Sequence, residues 1–246
     1  MTVTKQAPTM AEIVASFGPM KAEPLSRVQG FTAKAMVRSW TTIPHVTHFD
    51  RIDVTALERF RAATNADRAA DQRLSPLPYL MKAVAHVLAD LPRFNSVLDV
   101  EARAVLLRQY VNVGMAIDTP SGLVVGVVRG CDQLLIEDIA LAAKALATKA
   151  AAKGLSLAEM SGSGFTISSL GALGGDGFTP IINAPEVAIL AVSRLAETPC
   201  KGADGQIEWR KQLPVALSYD HRVINGADAG RFMQRLQHHI DALSMA

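Results

Sequence analysis

Cysteine is nearly absent from this 246-residue chain, aromatic residues make up only 5% of it, and neither sign of charge dominates. Each shortage excludes something. The two cysteines, Cys131 and Cys200, are far apart and form no C-x-x-C pair, so neither a disulfide framework nor a structural zinc site is expected, and a reducing compartment suits them. Lys and Arg number 25 against 23 Asp and Glu, for a formal charge of +2. The cations are dispersed rather than interleaved with aromatics, which argues against nucleic acid as a partner. No stretch approaches the roughly 18 uncharged apolar residues of a membrane span, and MTVTKQAPTMAEIV at the start lacks the pattern of an export signal. A soluble, cytoplasmic protein with no membrane partner is the expectation. What the chain has in quantity is hydrophobic residues, 49% of the total, enough to bury one substantial core.

Residues 1–27 hold Pro8, Gly18, Pro19 and Pro24 with little periodicity and read as an N-terminal arm or linker, leaving 28–246 as the folded domain. Two amphipathic helices follow. One starts near Asp53 and carries Leu57, Phe60 and Arg61; the other starts after Pro78 and aligns Leu80, Val84, Val87, Leu88 and Leu91. Tyr110–Ile117 and Gly122–Val128 read as a hairpin joined through Asp118-Thr119-Pro120-Ser121. Ile136–Lys153 has helical spacing and ends at Gly154. Phe165–Ser168 and Val187–Val192 are strand-like, the second so apolar that it belongs in the middle of a sheet. The elements do not alternate as in a doubly wound fold, so an α/β layer with a mixed sheet flanked by helices is predicted.

One histidine stands out. His221, in DHRVINGADA, follows the β-prone run Leu213–Tyr219 and precedes a helix announced by Gly226, Phe232, Met233, Leu236 and Ile240. Such a junction holds a side chain firmly, so His221 is a candidate base, although a structural role is the commoner one for a histidine in a turn. The glycines of GALGGDG, 171–177, lead into proline-broken FTPII instead of a helix, which argues against a phosphate loop. His45 and His48 alternate faces in a β-like segment, and with His238 and His239 they do not converge as metal ligands must; no metal is expected. Ser168 lacks the G-x-S-x-G elbow of a hydrolase nucleophile.

PLSRVQG at Pro24, IPHVTHFD at Ile43, LPRFNSVLD at Leu91, VGMAIDTPSGLVV at Val113, FTISSLGALGG at Phe165, FTPIINAPEVAILAV at Phe178 and LSYDHRVINGADAGRF at Leu217 follow one another in this order. In these segments the chain resembles the catalytic domain of the dihydrolipoamide acyltransferases, core components of 2-oxoacid dehydrogenase complexes, and within them the pyruvate (acetyl) type. The resemblance implies the chloramphenicol-acetyltransferase-like fold and a homotrimer with active sites between subunits. It implies transfer of an acetyl or short acyl group between dihydrolipoamide and coenzyme A, with His221 as general base and Ser168 as donor to the tetrahedral oxyanion. Arg61 and Lys82 match basic positions associated with the coenzyme's phosphates. The usual motif is H-x-x-x-D-G, whereas Asn225 stands here in place of the aspartate; it keeps the shape and hydrogen-bonding capacity, in contacts that include Arg38, but not the charge.

Two further departures concern biology. The lipoyl and peripheral-subunit-binding domains that precede the core in this family have no counterpart in the sequence, so the lipoyl group is expected in trans, from lipoyl domains on another chain. A thiamine-dependent 2-oxoacid dehydrogenase and a lipoamide dehydrogenase are the implied further partners. The C-terminal His238–Ala246 stretch lacks the bulky apolar plug by which family trimers join into cages, so weak assembly beyond the trimer is expected. Two other readings remain open: a catalytically idle core subunit, and a CoA acyltransferase with a non-lipoyl acceptor.

Overall fold

In the computed structural model, which describes residues 7–171 and 174–245, a mixed sheet carries helices on one face. The chain order is α1 (Met10–Ala15), α2 (Arg27–Thr42), β1 (His45–Asp53), α3 (Thr55–Thr64), α4 (Pro76–Asp90), β2 (Ser96–Asp99) and β3 (Ala104–Leu107). Then come β4 (Val113–Ile117), β5 (Val124–Val128), α5 (Ile136–Lys153), α6 (Leu157–Met160), β6 (Phe165–Ser169), β7 (Ala188–Val192), β8 (Ala196–Lys201), β9 (Ile207–Asp220) and α7 (Gly226–Leu243). The main sheet runs β1-β9-β7-β6-β4-β5, with β8 paired to the far half of β9, while β2 and β3 form a separate ribbon. β4, β6 and β7 are mutually parallel and the remaining pairs antiparallel. The predicted mixed sheet and the β4–β5 hairpin are both there.

Alternation decides which face each strand buries. Phe165 and Ile167 on β6, Leu190 and Val192 on β7, and Val215 and Leu217 on β9 join one core with α4 and α7, as a period of two requires. β7, AILAV, is buried at every position and lies between β6 and β9. The opposite face is thinly covered: Ile43, Ile182 and Ile189 make a small cluster, and Thr47 and Ser218 hydrogen-bond there through their hydroxyls at 2.8 Å. Ser168 shares this outer face with Thr166, whereas Ser169 turns toward the helices.

Two helices are not anticipated by the sequence reading. The arm expected over 1–27 contains α1, closed by a Thr9–Glu12 capping box, and α2 begins at its last residue. α2 buries only Ser39 and leaves Phe31, Val37 and Trp40 more than 60% exposed. It has no apolar stripe turned to the core, so periodicity gives no sign of it. Its signal is local: Ser26 accepts from the Gln29 backbone N–H while the Gln29 side chain accepts from the Ser26 N–H, the S-x-x-Q capping box. Among the described residues, no helix is long and apolar enough to cross a membrane.

Candidate active site

His221 directly follows β9, and hydrogen bonds fix the chain on both sides of it. Its N–H donates to the Pro44 carbonyl at 3.1 Å, and the Asp220 N–H donates to the Val187 carbonyl at 2.8 Å. The Asp220 carboxylate is buried and accepts from three donor groups of Arg222, its backbone N–H at 3.0 Å, Nε at 2.9 Å and Nη2 at 2.7 Å. That fork closes the turn and turns the His221 side chain to solvent, beside Tyr219, with ring centroids 6.1 Å apart. Sequence reasoning did not single out the fork, although D-H-R spells it.

Asn225 caps α7. Its side-chain oxygen accepts from the Asp228 N–H at 3.0 Å, and Asp228 reaches back to the Asn225 N–H at 3.3 Å, so the residue four positions after His221 fixes the start of the helix. The contact expected with Arg38 is not made within the chain among the described residues. An aspartate performs the same capping, and its charge is favourable at a helix N-terminus. Asn225→Asp is therefore expected to hold or slightly raise the thermal midpoint, while Asn225→Ala costs about 1 kcal/mol, read from denaturant unfolding.

The two expected phosphate ligands are engaged elsewhere. Arg61 donates to both Glu58 oxygens, at 2.8 and 2.6 Å, and to the Leu74 carbonyl at 3.1 Å. Lys82 donates to the carbonyls of Asp132 and Leu134, both at 2.8 Å, and more distantly to that of Cys131. Both cations brace loops in this structure instead of pointing outward. Two of the dispersed histidines are likewise occupied. His45 Nε2 accepts from the Ile182 N–H at 3.0 Å, so its proton sits on Nδ1 and donates to the Ile43 carbonyl at 2.8 Å. His239 pairs with Asp90 at 2.8 Å, and no metal-binding cluster occurs among the described residues. Cys131 is buried in the core, and burial pushes its thiol up to about 11, which makes it inert. Of GALGGDG, Ala172 and Leu173 lie outside the described residues.

The separation of His221 and Ser168 is the decisive geometry. Ser168 lies opposite Ala191, and Ala191 opposite Ala216; His221 is five residues further along the chain from Ala216. With ~3.3 Å per residue and ~4.8 Å between strands, the two Cα atoms are on the order of 19 Å apart. No rotamer closes that distance. Ser169 opens instead into an apolar cavity of 410 Å³ between the sheet and α3, α4 and α7, lined also by Leu57, Leu80, Val192 and Leu213.

A mixed sheet in this strand order with helices on one face is the fold of the acyltransferase cores, and the chain belongs to the 2-oxoacid dehydrogenase acyltransferase family. The model of that family's catalytic domain matches residues 17–246. Among particular relatives, the dihydrolipoyllysine-residue acetyltransferase component of the Pseudomonas aeruginosa pyruvate dehydrogenase complex is 48% identical over 222 residues, 89% of this chain and 40% of that protein. The chain thus spans less than half the length of that relative.

Among solved structures, Azotobacter vinelandii dihydrolipoamide acetyltransferase (E2p) superposes with a TM-score of 0.90 at 43% identity, over 98% of both chains. That work concerned a serine, a histidine and an asparagine in its catalytic mechanism, the last two four residues apart as His221 and Asn225 are. The serine there precedes the histidine by 52 residues. Here Ser169 stands at that count and Ser168 one residue earlier. The cubic core of a pyruvate dehydrogenase multienzyme complex matches with a TM-score of 0.91 at 42% identity, covering 99% of this chain and 100% of that one. Chloramphenicol acetyltransferase, at 14% identity and a TM-score of 0.55 over 84% of this chain and 94% of its own, shares the fold.

Proposed function

We propose that the chain is the catalytic core of an enzyme that moves an acetyl or short acyl group between dihydrolipoamide and coenzyme A, in a site built from two copies in a trimer. One observation carries the two-copy site: His221 and Ser168, the two groups this proposal assigns to the chemistry, lie on the order of 19 Å apart within one chain, so on this reading one copy's His221 meets a neighbour's Ser168. Ser168 is favoured over Ser169 because it stands on the outer, thinly covered face that a neighbour can approach, while Ser169 faces the chain's own helices. An asparagine at 225 suits the reading, since the E2p relative uses one at the same spacing.

The chemistry then follows from the side chains. A thiol with a pKa near 8.5 is mostly protonated at neutral pH, so a neutral imidazole at hydrogen-bond distance takes the proton as sulfur attacks the thioester carbonyl. The carbonyl oxygen gains negative charge, which the Ser168 hydroxyl meets by donating its hydrogen. Collapse of the tetrahedral intermediate breaks the other C–S bond, and the imidazolium returns its proton to the departing thiolate. No acyl-enzyme forms. Coenzyme A and the lipoyl thiol are substrates here, and phosphate contacts from Arg61 and Lys82 would require those cations to leave their present partners.

The test is acetyl transfer from acetyl-CoA to dihydrolipoamide, followed as thioester formation. His221→Ala is expected to lose nearly all activity and Ser168→Ala on the order of a hundredfold or more in kcat, while Ser169→Ala stays near wild type. A wild-type protein inert toward both thiols overturns the assignment.

A further inference from the structure

Glu186 lies in the loop that feeds β7 and is only 2% exposed. All its hydrogen bonds go to one oxygen. Oε1 accepts from Ser163 Oγ at 2.5 Å, Thr166 Oγ1 at 2.8 Å and Asn183 Nδ2 at 3.1 Å, whereas Oε2 is buried without a partner among the described residues. An ionised carboxylate shares its charge between both oxygens, so a bare, buried Oε2 would carry uncompensated charge; a protonated one leaves only a single unmade hydrogen bond. The charged group facing it is Arg108, on the segment between β3 and β4, whose guanidinium donates to the Ser96 carbonyl at 2.6 Å. Ser163, Thr166 and Asn183, from the other segments packed on it, do not titrate.

Its neighbours give this acid a purpose. Thr166 is two residues before Ser168 on the same face of β6, and Val187, the next residue after Glu186, accepts the Asp220 N–H that begins the His221 turn. We propose that Glu186, as a neutral carboxylic acid, is a positioning residue that braces the Ser168 strand and the His221 turn against one another; the role rests on the acyltransferase reading above. Because the two ends of one chain serve different composite sites, one such acid supports two sites at once. Burial pushes the carboxyl up to about 7, against the pull of its three hydrogen bonds and of Arg108. The folded protein therefore holds a proton that the unfolded chain has released above about pH 4.5. Stability from this group is highest below pH 4.5 and falls as pH rises to about 7.

The experiment compares wild type, Glu186→Gln, which keeps an acceptor oxygen and is always neutral, and Glu186→Ala. Activity, unfolding midpoint and the infrared carbonyl band of protonated carboxylic acids are recorded from pH 5.5 to 9. The Gln variant is expected to keep kcat within about threefold of wild type at pH 6, and to lack both the fall in stability between pH 5.5 and about 7 and the fall in kcat above about 7 that are expected of wild type. It is also expected to lack one protonated-acid band. The Ala variant is expected to lose roughly thirtyfold in kcat with KM for acetyl-CoA changed less than about threefold, as for a group that orients others. An active wild type with an unimpaired Ala variant, or with no protonated-acid band lost in the Gln variant, overturns the proposal alone. An inert wild type overturns the acyltransferase reading and this role with it.

Discussion

Mixing His221→Ala chains with Ser168→Ala chains, unfolding and reassembling them, is expected to restore about a quarter of wild-type acetyl transfer, although each variant alone is nearly inert. The fraction follows from symmetry. In a closed ring of identical chains each site takes one group from one chain and the other group from the next. With equal, random mixing, about half the chains supply an intact His221 and about half an intact Ser168, so about one interface in four holds both. A site contained within one chain would give no recovery at any ratio. The mixture, measured against each variant carried through the same refolding, separates the two arrangements without any knowledge of the acyl group. Recovery well above a quarter would indicate preferential pairing of unlike chains.

Phe232→Ala is expected to have the largest effect on stability, about 3–5 kcal/mol, read as the shift in urea midpoint at fixed protein concentration. Phe232 is fully buried on α7, with its ring centroid 4.7 Å from that of Phe94 and 5.5 Å from that of Phe165, nearly parallel to the latter. Truncation removes a large apolar side chain and leaves a hole that the surrounding sheet and helices cannot close. The consequence reaches the site, because Phe165 begins the strand that carries Ser168 and α7 is capped by Asn225. Activity at low temperature should survive the change better than stability does. If kcat at 10 °C falls as steeply as the midpoint predicts for the unfolded fraction alone, the stacked rings have no separate role in aligning the two elements.

Much of this architecture is legible in residue order, and the exceptions share a cause. AILAV reads as a central strand because a parallel strand buried on both faces has no polar position to alternate with. α5 is legible from its period and from Gly154 at its end, and α7 from Gly226 and the period that follows it. α2 is not, because its apolar side chains do not face the core of the chain that carries them. β8 escapes for a different reason: Pro199 interrupts a run of mixed polarity, and the strand pairs only with the extended half of β9. At the site, His221 is visible as a residue between two regular elements, whereas the duties of Arg61 and Lys82 are hidden. The acceptors that occupy Lys82 are backbone carbonyls some 50 residues away, and no side-chain pattern announces a carbonyl. Glu186 falls within NAPEVAIL, where an acid beside an apolar run reads as a loop residue until its burial is seen.

The outer face of the sheet has a consequence for the cell as well as for catalysis. On the reading proposed above, a newly made chain carries every group needed for thioester exchange, yet has no means of applying them to one substrate. Acetyl-CoA is thereby protected from stray, unassembled copies, and turnover becomes a census of finished assemblies: on dilution, specific activity should fall with the dissociation of the particle while each surviving site works at its full rate.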